Sequence, residues 1–266
     1  KFHRTALSGA GTAAADSEVI ILQNIEAQNV ATSGWNYTST SSYVTVQFWF
    51  RCSTNQTFYC YLETKDGTPQ SYPISFTASG NNTWTKITQT FPGNSNLQID
   101  NNNGEGLLFV AVPFYGTGKT NNSKSLNQWS AFTDTDRTPD YASTWLTAGA
   151  STFDITGVQL EVGEVATDFE HRSFSQELTL CERYFELCRA GVVATGVGSG
   201  FLGNTVPFRV TKRTAPTVTR ISDLQSQNVN TPFSESIDVN GFAGVAEHDG
   251  SGNMKFSTLY SAAAEL

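Results

Sequence analysis

Long apolar runs are missing from this chain. No stretch approaches the ~20 residues that a membrane-spanning helix needs, and no signal-peptide pattern opens it, so membrane insertion is not expected. Charge is scarce too: Asp, Glu, Lys and Arg make up 15% of the residues, against a usual share of about 25%. What charge there is leans acidic, with a formal net of −8 and a pI near 4.9, and it forms no block of one sign. Proteins that grip DNA or RNA through phosphates need a basic surface. Nucleic acid is therefore excluded as a partner, and an anionic membrane is disfavoured.

Cysteine and histidine are few as well. Cys52, Cys60, Cys181 and Cys188 include no Cys-x-x-Cys spacing. Cys52 and Cys60 could meet across a hairpin, but two small buried thiols are the simpler expectation. Cys181 and Cys188 sit two turns apart on a predicted helix, ~10 Å between Cα atoms and too far to bridge. Such usage fits assembly in a reducing cytoplasm. His3, His171 and His248 are the only histidines, and no Gly-x-Ser-x-Gly elbow occurs, which sets serine hydrolysis and zinc aside. His171, beside Glu170 and Asp168, reads as a hydrogen-bonded joint rather than a base.

What fills the gap is Ser, Thr, Asn, Gln and Gly, together with 18 Phe, 9 Tyr and 5 Trp. That aromatic content argues against disorder. Short β-rich runs separated by turn residues predict an all-β protein. Val44 to Cys52 alternates Val44, Val46, Phe48 and Phe50 against Thr45, Gln47, Trp49 and Arg51, a half-buried strand with a large aromatic on its second face. Further strands are predicted at Val19–Asn29, Thr57–Thr64, Ser71–Ala78, Thr83–Phe91 and Phe153–Val162. Asp66-Gly67 and Pro69 mark a turn between two of them. Leu107–Tyr115 is nearly all apolar and must be covered on both faces. Residues 116–151 form a long irregular loop carrying Trp129, Tyr141 and Trp145.

Residues 1–18 read as an arm or linker, 19–168 as a jelly-roll β-sandwich, 169–190 as a capped helical junction and 191–266 as a second, smaller β domain. In the last, strands are expected at Val206–Val210, Pro216–Ile221, Ser236–Val239 and Lys255–Tyr260. Ser173 and Gln176 have capping-box spacing, and Leu178, Cys181, Phe185 and Cys188 fall on one face of a helix expected from Phe174 to Cys188. Because the first residue is Lys1 rather than Met, the expectation is a piece of a longer polypeptide or a processed chain.

The junction strings TGVQLEVG (156–163) and ATDFEHRSFSQELTLCERYFE (166–186) carry a resemblance to tail-fibre and related virion proteins of aquatic (marine or cyanobacterial) tailed bacteriophages. IEAQNV (25–30), VTVQFWFRCS (44–53), NTWTKITQTFPG (82–93), NQWSA (127–131) and FRVTKRTAPTV (208–218) extend it. The resemblance implies a jelly roll like that of carbohydrate-binding modules, location in the virion, contact with other virion proteins, a homotrimer, and a host-surface polysaccharide as ligand. A structural role as head fibre, decoration protein or tail adaptor is the alternative, and a polysaccharide depolymerase comes third.

Sugar binding calls for aromatic faces flanked by amides and carboxylates. Trp35, Tyr37, Tyr115, Trp129 and Trp145 lie in or beside polar loops and are the glycan-binding candidates, with packing under a loop as the competing explanation. Trp49 and Trp84, in framework strands, are expected in the core. No catalytic residue and no metal ligand is assigned. Glu161 with Glu164, and Asp134 with Asp136 and Asp140, are expected to be solvated turn acids. Asp100-Asn101-Asn102-Asn103-Gly104-Glu105 resembles a calcium loop superficially, yet it lacks the twelve-residue pattern, so an Asx-rich turn and no cofactor are expected, with a structural calcium as the competing reading.

Overall fold

The computed structural model describes residues 1–102, 104–141, 145–195, 198, 200–250 and 252–265. It divides the chain into two compact units, Lys1–Glu170 and His171–Leu266. The first unit contains β1 (His3–Leu7), β2 (Glu18–Glu26), a one-turn helix α1 (Ala27–Ala31), β3 (Tyr43–Cys52), β4 (Asn55–Thr64), β5 (Gln70–Ser79), β6 (Thr85–Pro92), β7 (Glu105–Tyr115), β8 (Ser130–Ala131), a 3₁₀ turn (Trp145–Thr147) and β9 (Ser151–Val162). Two antiparallel sheets, ordered β2-β7-β4-β5-β8 and β1-β9-β3-β6, pack as a jelly-roll sandwich.

The alternation in β3 sets the sandwich. Val44, Val46, Phe48 and Phe50 point inward and meet Phe58, Phe76 and Phe109 from the facing sheet and Phe153 from the neighbouring strand β9. Two of the ring pairs pack edge-on at short range, Phe50–Phe76 with centroids 4.7 Å apart and Phe58–Phe153 with centroids 5.1 Å apart. Each fully buried phenylalanine contributes about 1.5–3 kcal/mol. Cys52 and Cys60 are buried free thiols in this core, and burial alone pushes the Cys60 thiol well above its ordinary range. The predicted turn at Asp66-Gly67 joins β4 to β5, with Gly67 at a φ of +62°.

Two expectations for this unit change. Residues 3–7 are not an arm: Arg4 and its neighbours pair antiparallel with β9, from His3 opposite Ile155 to Leu7 opposite Ser151. The extended run expected to reach Asn29 stops at Glu26, because Ala27 N–H and Gln28 N–H turn to the carbonyls of Gly104 and Asn102 and start α1.

The second unit contains α2 (Phe174–Glu182), β10 (Phe185–Ala194), β11 (Gly200–Pro207), β12 (Thr217–Gln227), β13 (Phe233–Glu235), β14 (Gly241–His248) and β15 (Met254–Ala263). Its sheets are β10-β15-β12 and β11-β14-β13. Between them Phe208, Phe242, Met254, Phe256 and Tyr260 form a second core. The sheets approach closely at Gly244, where an added Cβ would sit 2.1 Å from that of Ala190.

The capping box exists: Ser173 Oγ accepts from Gln176 N–H at 3.3 Å, and Ser173 N–H donates to Gln176 Oε1 at 2.9 Å. The helix nevertheless ends at Glu182, six residues before the expected Cys188. Phe185 through Ala194 instead make ten consecutive pairs with β15, burying Glu186, Cys188 and Ala190 and turning Phe185, Leu187 and Arg189 outward. A full strand pairing outweighs the weak helical preference of this stretch. A buried knot fixes the transition. Lys212 Nζ donates to Glu186 Oε2 at 2.7 Å, Arg209 pairs with Glu182 at 2.6 Å, and the Cys188 thiol donates to Glu186 Oε1. Burial, reinforced by Glu186, pushes that thiol up to about 12. The strand expected at Ser236–Val239 falls instead at Phe233–Glu235, and β14 was not anticipated.

Candidate functional site

The five expected sugar-stacking aromatics belong to the framework. Trp145 has 0% of its surface exposed and Trp35 4%; the Trp35 indole N–H donates to Ser42 O. Tyr37, beside it, donates its hydroxyl to Ile99 O at 3.2 Å. Trp129 is half-buried, donates to Pro92 O at 2.6 Å and meets Tyr72 edge-on. Tyr115 lies under residues 116–141, its hydroxyl 2.7 Å from that of Tyr61 and 3.0 Å from Arg137, whose guanidinium covers its ring. Trp35, Tyr115 and Trp145 are buried, and Tyr37 and Trp129 are half-buried against the core. For Tyr115 the reason is the outward side of the five-stranded sheet: Tyr61, Leu108, Val110 and Val112 are apolar there and need a cover, which the long loop supplies through Tyr141, whereas Trp35, Tyr37, Trp129 and Trp145 pack with the core between the sheets.

The four-stranded sheet is different. Thr45, Gln47, Trp49 and Arg51 of β3 face outward, opposite Thr90, Thr88 and Lys86 of β6 and Glu161, Gln159, Thr156 and Asp154 of β9. One end of this face is closed by the chain after β9. Thr45 Oγ1 donates to Gly163 O, Thr90 Oγ1 to Glu164 O, Gln47 Nε2 to Thr167 O and Glu170 N–H to Gln159 Oε1. The other end is open. There Trp49 is 42% exposed, Phe2 45% exposed, and Trp84 half-buried. Trp49, expected in the core, is thus a surface aromatic, whereas Trp84 is half-buried against Phe2 and Arg51. Outward alternation in β3 was visible in the sequence and is the signal that could have placed Trp49.

A charged row holds the open end together. Asp154 is fully buried; Arg4 grips both its oxygens at 2.8 and 2.9 Å, and Arg51 Nε adds a third bond at 2.8 Å. Burial pushes this carboxyl up, but the hydrogen bonds and charges of Arg4 and Arg51 outweigh it and hold it below the usual range. The Arg51 guanidinium lies 5.0 Å from the Phe2 ring and 4.7 Å from Trp84, whose rings meet edge-on at 5.5 Å. Gly157, at a φ of +61°, lies in the bulge next to Thr156, the residue opposite Trp49. A Cβ there would lie 3.4 Å from Trp49 and 3.8 Å from Phe169, so the missing side chain leaves a flat gap between two exposed rings.

The carboxylates weighed for catalysis do not converge. Asp134 is ion-paired to Lys119 and Arg137 over the five-stranded sheet, and Asp140 accepts from Thr120. Glu161 lies on the opposite face and accepts from Thr167 N–H, Thr167 Oγ1 and Gln159. In the acidic turn, Asn102 Oδ1 accepts from Gly104 N–H while Asn103 lies outside the described residues. Among the described residues no three His, Cys, Asp or Glu side chains gather as a metal site, and no helix is long and apolar enough to cross a membrane.

No family model and no curated protein matches this chain. Among solved structures it is similar to the N-terminal cellulose-binding domain of β-1,4-glucanase C from Cellulomonas fimi, at 14% identity over 62% of this chain and 80% of that one, TM-score 0.34. A family 16 carbohydrate-binding module matches at 12% identity over 60% and 85%, TM-score 0.26. Discoidin II of Dictyostelium discoideum matches at 12% over 96% and 81%, TM-score 0.23.

Proposed function

We propose that this chain is a glycan-binding subunit of a tailed-phage virion fibre, and that host-surface polysaccharide docks on the open end of the four-stranded sheet. The observation that carries the reading is Trp49, an exposed indole set among side chains that can hydrogen-bond hydroxyls: Lys86 and Thr156 across the strands, and Arg51 two residues along. An exposed ring on rigid strands stacks on a pyranose at little entropic cost. The resemblance of residues 25–185 to phage virion proteins supports the setting. Binding here involves no covalent chemistry, since the candidate acids on the two faces are separately engaged.

One ring and a few hydroxyl contacts give a weak site, about millimolar or roughly −4 kcal/mol. Multiplication by a homotrimer would raise it ~10² or more through avidity. The trimer is assigned to the second unit, where Phe185, Leu187 and Val193 of β10 and Phe174 of α2 are exposed apolar groups. Host adsorption should fall when Trp49 becomes Ala and stay unchanged for Tyr37→Phe. Undiminished adsorption by Trp49→Ala would overturn the reading.

A further inference from the structure

We infer that the Trp49 face selects anionic polysaccharide, a uronate- or sulfate-bearing glycan, over a neutral one; this rests on the glycan-binding reading above. The inference comes from charge at one place. Two guanidiniums, Arg4 and Arg51, share the single carboxylate of Asp154, leaving one net positive charge on the open end. Lys86, directly across the strands from Trp49, is exposed and forms no salt bridge among the described residues. The carboxylate of Glu161 lies towards the closed end, held by Thr167 and Gln159 and feeling the charge of Lys86 only as the smallest of these influences. In a chain whose net charge is −8, such a local excess of cations around an exposed indole is a specific feature of this face.

Geometry supports the same selection. Arg51 is fixed by its Nε bond to Asp154 and by the Phe2 and Trp84 rings on either side. A guanidinium held in this way keeps its planar fork ordered before a ligand arrives, and that fork suits the paired oxygens of a carboxylate or sulfate. Neighbours across antiparallel strands lie about 5 Å apart, and same-face residues along a strand about 7 Å. Both spacings are comparable to one pyranose. A sugar stacked on Trp49 therefore brings an acidic substituent within reach of Lys86 on one side and Arg51 on the other.

The test uses the full chain and three immobilised polymers: a polyuronate, a sulfated galactan and a neutral galactan. We expect retention by at least one anionic polymer to exceed retention by the neutral one, and to fall steeply as salt rises from about 50 to 500 mM. Lys86→Glu should lower the ratio of anionic to neutral affinity by about tenfold, with Lys86→Gln intermediate. Retention by the polyuronate alone assigns the carboxylate, and retention by the sulfated polymer alone assigns the sulfate. Equal affinity for all three polymers, lost in Trp49→Ala but indifferent to Lys86→Glu, would overturn anion selection while leaving the glycan site intact. Binding that survives Trp49→Ala would overturn the site itself.

Discussion

The two outward faces of the N-terminal sandwich solve opposite problems. Behind the five-stranded sheet lies an apolar surface built from Tyr61, Leu108, Val110, Val112 and Tyr115, and the chain spends its longest loop covering it. The four-stranded sheet carries Thr45, Gln47, Arg51, Thr88, Gln159 and Thr156 on its outer side, so it can meet water, and only half of it is covered. Tyr141 of the loop is therefore part of the roof of one face, Trp145 of the same loop fills the core between the sheets, and a strand aromatic is the exposed feature of the other face. A tryptophan's exposure follows from what its own face requires, not from whether it sits in a loop.

The comparison can be broken by emptying the part of the core that the long loop fills. Trp145→Ala should destabilise the first unit by about 3–5 kcal/mol, the cost of emptying a large buried site, measured by chemical denaturation followed through near-ultraviolet circular dichroism. A loss under 1 kcal/mol would mean the loop is dispensable to the sandwich. On the open face the largest effect is expected at Asp154. Replacing it with Ala leaves two guanidiniums without their shared acceptor, at a cost of about 1–3 kcal/mol given that both arginines remain partly solvated.

Acid should act through the same group. The folded-state carboxyl of Asp154 titrates below its ordinary value, so its contribution is complete above pH ~4 and is lost as pH falls through the lowered folded value. Melting temperatures measured from pH 7 to pH 2 should drop less steeply at the acid end for Asp154→Asn than for the parent. Identical acid limbs would remove Asp154 from the account. Smaller still is the helix cap. Ser173→Ala should cost the second unit about 1 kcal/mol, visible as a lower thermal midpoint with the first unit unmoved.

The sandwich was legible because β3 and β6 alternate cleanly, β9 alternates on either side of the break at Gly157, and β7 is largely apolar. Much of the site was legible too, though it was not read from the right residues. If Leu107–Tyr115 needs cover on both faces, then Tyr141 and Trp145 in the following loop are natural covers, and the outward position of Trp49 follows from Val44, Val46, Phe48 and Phe50 pointing in. The rest depended on pairing that no local pattern announces. β1 holds only five residues and gains its place through β9. β14, with its glycines and alanines, has little intrinsic strand preference, and its small residues answer to the close approach of Gly244 to Ala190. Phe185 and Cys188 fit a helix face equally well, until ten pairs with β15 decide otherwise.

The central contrast reduces to two tryptophans, one exposed and one enclosed. Trp49→Ala and Trp145→Ala, each assayed for host-polysaccharide binding and thermal midpoint in the same buffer, test it directly. The account predicts that Trp49→Ala loses binding by tenfold or more while its midpoint stays within about 2 °C, a stability change of under ~0.5 kcal/mol, whereas Trp145→Ala melts far lower. Unchanged binding in Trp49→Ala, or a midpoint for Trp145→Ala equal to the parent's, would contradict it.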